Sequence, residues 1–365
     1  MALTAGHAQH DLAESLAPAL TLRQILAVSD ADPIGDLELD YGTPAGGTEL
    51  REILAEQHGV SPDSIIVTAG GMHAIFLVAM MTCGPGDRAL LTVPAFPVAE
   101  AALDAAGAVV DYVGQSFAEG YVLRLEEFQA KLTSRTRLVY IATPQNPSGV
   151  SISQGLVAAL SEAMLEICPT AVLLVDETYR TATYGTPSPA SVATLAPNVV
   201  ATSSVSKLHG AAGLRIGWVI AQEPRLRDQL LHGKYTTILS CSPLDEALAS
   251  RVLASDAVRA RQVEHLRVTR KITEGWVGEH RPLIDWIPPD GGGLCCIRLD
   301  PTAFDLRAVE RFHVLLSELG CRVAPGPWFG DEAHVFRLGF GYLSPNDLTA
   351  ALTTVSAVLN KSVSQ

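Results

Sequence analysis

The sequence lacks the features that mark membrane, secreted and metal-stabilised small proteins. Its longest apolar run, Ala74–Met81, is far shorter than the roughly 20 residues needed to span a bilayer. Its first residues do not have the basic and then apolar pattern of a secretion signal. The six cysteines form no C-x-x-C pair and have no histidine at zinc-finger spacing, which excludes a zinc ribbon. We therefore expect a cytoplasmic protein with reduced core thiols and no metal site.

Basic residues are also scarce. The chain has 26 lysine and arginine residues against 39 aspartate and glutamate residues, for a formal net charge of −13. A protein that covers a nucleic-acid backbone needs the opposite sign over a broad face, so we expect no nucleic-acid partner. With 365 residues, 48% of them hydrophobic and 18% charged, the chain can bury a large core. The composition indicates a globular protein larger than one average domain.

Short apolar runs bounded by turn residues predict seven buried strands. They lie at Ser64–Thr68, Arg88–Val93, Ala108–Val113, Leu138–Thr143, Ala171–Asp176, Val199–Ser203 and Gly217–Ala221. Segments of helical period separate several of these strands: Gly71–Met81, Val98–Ala106, Leu125–Lys131 and Gln154–Glu166. The alternation of strand and helix predicts an α/β fold with a mainly parallel sheet covered on both faces. In such sheets, ligands bind beyond the carboxyl ends of the strands.

The last third of the chain has a different pattern. A long charged helical stretch, Asp256–Glu279, is followed by a turn rich in proline and glycine. Further elements are predicted at Leu294–Leu299, Val309–Leu319, Cys321–Ala324, Val335–Phe340 and Pro345–Leu359. We expect a domain boundary near residue 250. A large domain would cover residues 41–250, a smaller α/β domain residues 251–365, and residues 1–40 would pack with the smaller domain.

Lys207 is one of only five lysines, and it follows a predicted buried strand. Such a position desolvates an ammonium group and lowers its pKa, as a Schiff-base amine requires. Taken alone, a lysine of this kind more often extends its amine into solvent. Its neighbours favour the chemical role, because Ser204, Ser206 and Arg215 are side chains suited to binding a phosphate dianion.

Three other strand ends carry turn or polar residues. Gly70 and Gly71 form a strand-to-helix turn, where free backbone N–H groups and the helix dipole favour an anion. Asp176 closes an apolar strand, with Tyr179 three residues further on, and a buried carboxylate needs a cation or a donor. Asn146 follows another strand in an Asn-Pro-Ser-Gly turn. Each also has a plain structural explanation: a helix N-cap for the aspartate and ordinary turns for the others.

Four short motifs follow one another along the chain: Asn146-Pro147-Ser148-Gly149, Asp176-Glu177-Thr178-Tyr179, Ser204-x-Ser206-Lys207 and Gly213-x-Arg215-x-Gly217. In this order they resemble the class I/II aminotransferases, the fold type I enzymes that use pyridoxal 5′-phosphate (PLP). The resemblance runs from about Tyr41 to the C-terminus and implies an aspartate aminotransferase-like fold with PLP as cofactor. It implies that Lys207 is the Schiff-base lysine and that Asp176 is the partner of the pyridine nitrogen. It places Asn146 and Tyr179 at the phenolic oxygen. Around the phosphate it places Ser204, Ser206, Arg215 and the turn Gly70-Gly71-Met72, which would contribute the amides of Gly71 and Met72.

Three further segments resemble the same family. Pro94-Ala95-Phe96-Pro97 resembles the segment whose aromatic ring stacks on the pyridine, which implies that role for Phe96. The segment that begins at Tyr41 resembles the one whose tyrosine reaches the phosphate of a neighbouring subunit, which implies a homodimer. Arg337 lies within an apolar strand and needs an anionic partner. The resemblance identifies that partner as the substrate α-carboxylate, with Asn146 also in contact with the substrate.

These residues predict transfer of an amino group between an L-amino acid and a 2-oxo acid. The same site also permits β- or γ-elimination, decarboxylation, oxidation or cyclisation, and Tyr235–Pro243 distantly resembles capreomycidine-synthase-like cyclases. His73 and His209 are either second acid–base groups or structural residues. A nicotinamide-binding enzyme is disfavoured because no G-x-G-x-x-G turn follows an early strand. A regulatory protein of this fold is disfavoured because the chain has no basic face or helix-turn-helix extension.

Overall fold

A seven-stranded sheet organises residues 65–221. The computed structural model of the protein describes residues 8–28 and 34–363. Its strands are β1 (His10–Asp11), β2 (Ile65–Thr68), β3 (Arg88–Val93), β4 (Val109–Gly114), β5 (Thr136–Ala142), β6 (Val172–Asp176), β7 (Val199–Ser204), β8 (Gly217–Ala221), β9 (Ile284–Trp286), β10 (Leu294–Leu299), β11 (Cys321–Arg322), β12 (Ala324–Pro325) and β13 (Val335–Gly339). The large sheet has the order β2-β8-β7-β6-β5-β3-β4. Neighbouring strands are parallel except at β8, which runs antiparallel to β2 and β7. The predicted mainly parallel seven-stranded sheet is confirmed.

Helices connect the strands and cover the sheet. They are α1 (Leu22–Leu26), α2 (Thr48–His58), α3 (Gly71–Thr82), α4 (Pro97–Ala105), α5 (Leu125–Gln129), α6 (Gln154–Ile167), α7 (Pro224–Thr237), α8 (Pro243–Ala254), α9 (Asp256–Glu279), α10 (Leu306–Glu318) and α11 (Pro345–Ser362). Local residues fix where several of them begin. The hydroxyls of Ser153, Ser242 and Ser255 cap α6, α8 and α9 by accepting a backbone N–H in the first turn. Proline at the first position of α4 and α7 acts in the same direction.

The position of β6 in the middle of the sheet explains why its first four residues are all apolar. Leu173 and Val175 pack into the hydrophobic cluster on one face of the sheet, whereas Val172 and Leu174 pack into the cluster on the other face. Successive side chains of a strand point to opposite faces, so a strand covered on both sides has no solvent-facing position. The sheet therefore has helices on both faces, as the sequence predicts.

A second, four-stranded antiparallel sheet lies in the C-terminal third, in the order β12-β13-β10-β9. It shares a separate hydrophobic cluster with α9, α10 and α11, in which Phe312, Phe336 and Leu352 are buried. The sequence predicts one strand over Cys321–Ala324, and this is wrong. Cys321–Arg322 pairs with β1, whereas Ala324–Pro325 pairs with β13. Val323 lies between the two strands and belongs to neither pairing.

The described N-terminal residues contact both clusters. Leu12 is buried in the C-terminal cluster, and Ile25 is buried in a cluster of the large sheet. Between them the backbone follows the loop after β7, since Ala17 N donates to Lys207 O at 3.2 Å and Leu20 N donates to Gly210 O at 2.8 Å. The proposed boundary near residue 250 stays a prediction. Among the described residues, no helix combines the length and the apolar composition that crossing a membrane requires.

Candidate active site

A cavity of about 180 Å³ lies at the carboxyl ends of β2, β5, β6 and β7. Most of the predicted site residues line it: Gly71, Met72, Phe96, Asn146, Asp176, Tyr179, Ser204, Ser206, Lys207 and Arg215. These four strands run in one direction, so the loops that follow them meet at one edge of the sheet although they are far apart in the sequence. The predicted residues Tyr41, Gly70 and Arg337 are not among the lining residues.

The amine of Lys207 lies inside this cavity and not in bulk solvent. Its Nζ donates to Ser15 Oγ at 3.1 Å and lies 5.8 Å from the centroid of the Tyr179 ring. Tyr179 Oη donates to the same Ser15 oxygen at 2.9 Å. Ser15 is buried, with 5% of its surface exposed. It was missed in the sequence because the residues around it carry no motif, and only the path of the N-terminal segment brings it to Lys207.

Asp176 ends β6 with its carboxylate held by three donors. Oδ1 accepts from the Thr178 backbone N–H at 2.9 Å and from the Thr178 hydroxyl at 2.5 Å, and Oδ2 accepts from Tyr140 Oη at 3.0 Å. Burial is the largest cause that raises the pKa of Tyr140, and the negative charge of Asp176 raises it further, so the Tyr140 hydroxyl keeps its proton and remains a donor. Asp176 therefore does not cap a helix, and its orientation is fixed from both sides.

Glycine is required where β2 turns into α3. Gly70 has φ of 83°, and a Cβ atom there would lie 2.4 Å from Arg215 Nη2. A Cβ atom on Gly217 would lie 2.6 Å from Gly71 N, so the two turns pack backbone against backbone. This brings Arg215 and Ser204 to the start of α3, where the first backbone N–H groups have no partner within the helix. The arrangement is a cradle for an anion.

Arg337 lies on β13 directly behind Asn146. Its Nη1 donates to Asn146 Oδ1 at 2.7 Å, its Nη2 donates to Ala13 O, and its guanidinium lies 4.8 Å from the centroid of the Phe329 ring. The side chain is buried, and its Nε has no hydrogen-bond partner among the described residues. Because Asn146 lines the cavity, this cation lies next to it and not on the surface.

Phe96 and Tyr41 differ in their surroundings. Phe96 lines the cavity, and its ring packs edge to face on Trp328 with centroids 5.9 Å apart. Tyr41 is 81% exposed, so within one chain it does not reach the cavity.

Neither of the two singled-out histidines lines the cavity. His73 Nδ1 accepts from Ala69 N at 3.1 Å, so it supports the turn before α3. His209 is buried, and burial, followed by the charges of Arg259 and Arg180, lowers its pKa to about 4. It lines a different cavity. These positions favour structural roles, because neither imidazole faces Lys207 across the cavity.

The donor set fits PLP, which needs an amine for its aldehyde, a carboxylate for its ring nitrogen and an anion cradle for its phosphate. Lys207, Asp176 and the cradle residues Ser204 and Arg215 line the same cavity, and a Cβ atom at position 70 would collide with the guanidinium of Arg215. The fold and the cavity together define a PLP-dependent enzyme of the aspartate aminotransferase-like fold.

Comparison with known proteins gives the family. The model of the family "Aminotransferase class I and II" matches residues 18–355, and the chain belongs to this family, whose cofactor is PLP. The chain is 29% identical to the arginine–pyruvate transaminase of Pseudomonas aeruginosa over 351 residues, which cover 86% of this chain and 84% of that protein. It is 28% identical to the capreomycidine synthase of Streptomyces vinaceus over 359 residues, which cover 96% and 90%. A PLP-dependent aminotransferase from Streptococcus suis superposes with a TM-score of 0.88 at 25% identity, covering 98% of this chain and 95% of that one.

Proposed function

We propose that the protein moves an amino group between an L-amino acid and a 2-oxo acid, with Lys207 as the residue that binds PLP covalently. The observation that carries this proposal is the meeting of the Lys207 amine, the Asp176 carboxylate and the anion cradle in one cavity. Membership of the aminotransferase family supports it, as does the transaminase relative that matches most of the chain.

PLP, when bound, supplies an aldehyde that takes up the amino group and a conjugated ring that accepts the electron pair of the broken Cα bond. Ser204, Ser206, Arg215 and the first amides of α3 hold its phosphate. Asp176 keeps a proton on the ring nitrogen, and the donors from Thr178 and Tyr140 support this role because they hold the carboxylate in one orientation.

The substrate amino group would displace Lys207 from the cofactor, and the freed Lys207 amine would then act as the base that takes the proton from the substrate Cα. The support for this role is its position in the cavity, with Ser15 as a hydrogen-bond partner and the ring of Tyr179 nearby. Asn146 and Tyr179 bind the phenolic oxygen. Arg337 binds the substrate carboxylate, because it is a buried arginine with an unpaired Nε next to the cavity.

We further propose a homodimer in which Tyr41 of each chain reaches the phosphate in the other chain. Tyr41 is exposed in the single chain, as are Met72, Phe76 and Met80. The last three are four residues apart on α3 and form one exposed apolar face beside the cradle. A second copy that covered this face would bring its own residues close to the cavity.

Cyclisation of an amino acid is the second candidate. It is favoured by the capreomycidine synthase that matches nearly the whole chain, and the proposed roles of Lys207 and Asp176 also serve it. Elimination, decarboxylation and oxidation use the same cavity groups. The reactions differ in their products, since only transamination would pass the amino group of the substrate to a second 2-oxo acid.

The covalent attachment is tested first. The purified protein should absorb visible light, and borohydride should fix the cofactor to the peptide that contains Lys207. The Lys207→Ala variant serves as the control and should give no fixed adduct. An adduct located on one of the other lysines contradicts the assignment: Lys131, Lys234, Lys271 or Lys361.

The reaction is tested by incubating the holoenzyme with a panel of amino acids, including arginine, and with pyruvate as amino acceptor. Mass spectrometry identifies the products. Formation of the matching 2-oxo acid together with alanine supports transamination. A cyclic amino acid, an amine that lacks the carboxylate, or a 2-oxo acid with free ammonia, in each case without alanine, favours the alternatives and overturns transamination as the main activity.

A further inference from the structure

A second cavity, of about 340 Å³, adjoins the candidate active site. Four aromatic side chains line it, those of Phe96, Tyr112, Trp328 and Phe329, together with the carboxylate of Glu100. Among the described residues that line it, none is a lysine, an arginine or a histidine. The cavity therefore combines aromatic faces with one lining carboxylate, and it is open to solvent at Tyr112, which is 42% exposed.

Two of these aromatic residues connect the second cavity to the first. Phe96 lines both cavities. Phe329 lines the second cavity and packs under the guanidinium of Arg337, whose carbon lies 4.8 Å from its ring centroid. The hydrogen bond from Ala95 N to Phe329 O, 2.9 Å long, ties the two segments together. Arg337 itself lines neither cavity, so a molecule held by its carboxylate at Arg337 would extend past Phe96 or Phe329 to enter the second cavity.

Where the structure describes the chain, a tyrosine and no cation lies against the Glu100 carboxylate. Glu100 Oε1 accepts a hydrogen bond from Tyr112 Oη at 2.5 Å. The pKa of Tyr112 is raised to about 12, first by this hydrogen bond and then by burial, so the tyrosine stays a neutral donor. Among the described residues, no cationic side chain lies within ion-pair distance of the Glu100 carboxylate.

Aromatic faces and a carboxylate together recognise an organic cation. A guanidinium or ammonium group over an indole or phenol ring is attracted by the negative face of the ring, and a nearby carboxylate adds a charge-assisted hydrogen bond. The apolar stem of a long side chain would pack along Phe96 and Trp328, as stems of lysine and arginine do in proteins. An acidic side chain would be repelled by Glu100.

We propose that this second cavity is the side-chain subsite of the substrate and that it selects an amino acid with a long cationic side chain. The proposal rests on the proposed function, because it takes Arg337 as the anchor of the α-carboxylate. Glu100 and Trp328 are then specificity-determining residues. Neither is assigned to the cofactor or to proton transfer.

The test compares arginine with norleucine, which has an unbranched neutral side chain. The rate at which each amino acid consumes the visible absorbance of the holoenzyme gives a specificity constant. In Glu100→Gln this constant should fall about tenfold for arginine and stay within about twofold for norleucine, because only the charged contact is lost. Trp328→Leu should act in the same direction. Glu162→Gln removes an exposed charge from α6, outside the residues that line either cavity, and should leave both constants unchanged.

A binding measurement separates this proposal from the proposed function. 4-Guanidinobutyrate has the carboxylate and the guanidinium but no α-amino group, so it binds without reacting. Its dissociation constant, measured by calorimetry on the holoenzyme, should rise about tenfold in Glu100→Gln. If no amino acid reacts but this rise is seen, the aminotransferase proposal fails and the subsite stands. If the variant binds 4-guanidinobutyrate as the parent does, or loses arginine and norleucine activity equally, the subsite proposal is wrong.

Discussion

The replacement of Arg337 by lysine tests the carboxylate anchor most directly. In the structure Asn146 and the Ala13 carbonyl hold the two terminal nitrogens of the guanidinium, and the ring of Phe329 lies against it. These contacts fix the plane of the guanidinium fork before any substrate arrives. Lysine keeps the positive charge but has one nitrogen, which cannot replace a planar fork that offers two parallel donors.

The magnitude follows from the contacts that lysine cannot make. A carboxylate bound by the fork accepts two charge-assisted hydrogen bonds, and lysine at this position retains one at most. The loss of one hydrogen bond to a charged group corresponds to about 1.5–3 kcal/mol, or roughly ten- to a hundredfold in amino-acid binding. The visible spectrum of the holoenzyme should persist, because Arg337 is not assigned to PLP.

Spectroscopic titration of the holoenzyme with a reactive amino acid measures this loss. Arg298→Lys is the matched control, since Arg298 lies on the neighbouring strand β10 and packs over Phe117, 4.5 Å from its ring centroid, outside the cavity. Amines without a carboxylate should bind both variants as they bind the parent. If Arg337→Lys releases PLP or unfolds the protein while the remaining holoenzyme binds amino acids normally, the arginine is a structural cation and the carboxylate binds elsewhere.

Three further outcomes are expected. Asp176→Asn should keep its fold but slow Cα deprotonation by about a hundredfold or more in stopped-flow absorbance, and near-normal turnover would show that the carboxylate has another role. Subunits with Tyr41→Phe mixed with subunits with Lys207→Ala should recover activity that neither has alone, whereas a monomer in sedimentation contradicts the shared site. Burial, followed by the charge of Arg180 or Arg259, holds the pKa of His58 at about 3 and that of His209 at about 4, below the usual 6.5. The unfolded chain therefore takes up protons first, and the free energy of unfolding should fall by about 1.4 kcal/mol per pH unit per histidine below about pH 6.5. Urea titrations from pH 7 to 5 measure this, and the His209→Gln variant should show a shallower slope.

Much of the fold could be predicted because its determinants are local. The strand Arg88–Val93 and the helix Asp256–Glu279 have the predicted bounds, since apolar runs, turn residues and the Ser255 cap act within a few residues. The continuous apolar run Val172–Val175, closed by Asp176, already indicated a strand covered on both faces. The split of Cys321–Ala324 between two partners was not predictable, because it depends on where the N-terminal segment lies.

The residues of the candidate site also fall into those that the sequence identifies and those that only the structure brings there. The motif residues around Lys207 and Asp176 could be identified from the sequence, because each follows a recognisable strand and parallel strands end at one edge. Their roles remain predictions.

Only the tertiary structure decided which distant residues complete the site. Ser15, which no motif marked, meets Lys207 across 192 positions of sequence. Arg337 and Asn146 were both expected at the substrate, but only the structure shows that they bond to each other, across 191 positions. The cavity that joins Glu100 to Trp328 likewise combines two distant segments. No local pattern encodes such contacts, since they are set by the packing of two sheets and an N-terminal segment whose positions depend on the whole core. The sequence by itself determined the elements and the chemistry at the strand ends, and the packing determined what faces that chemistry.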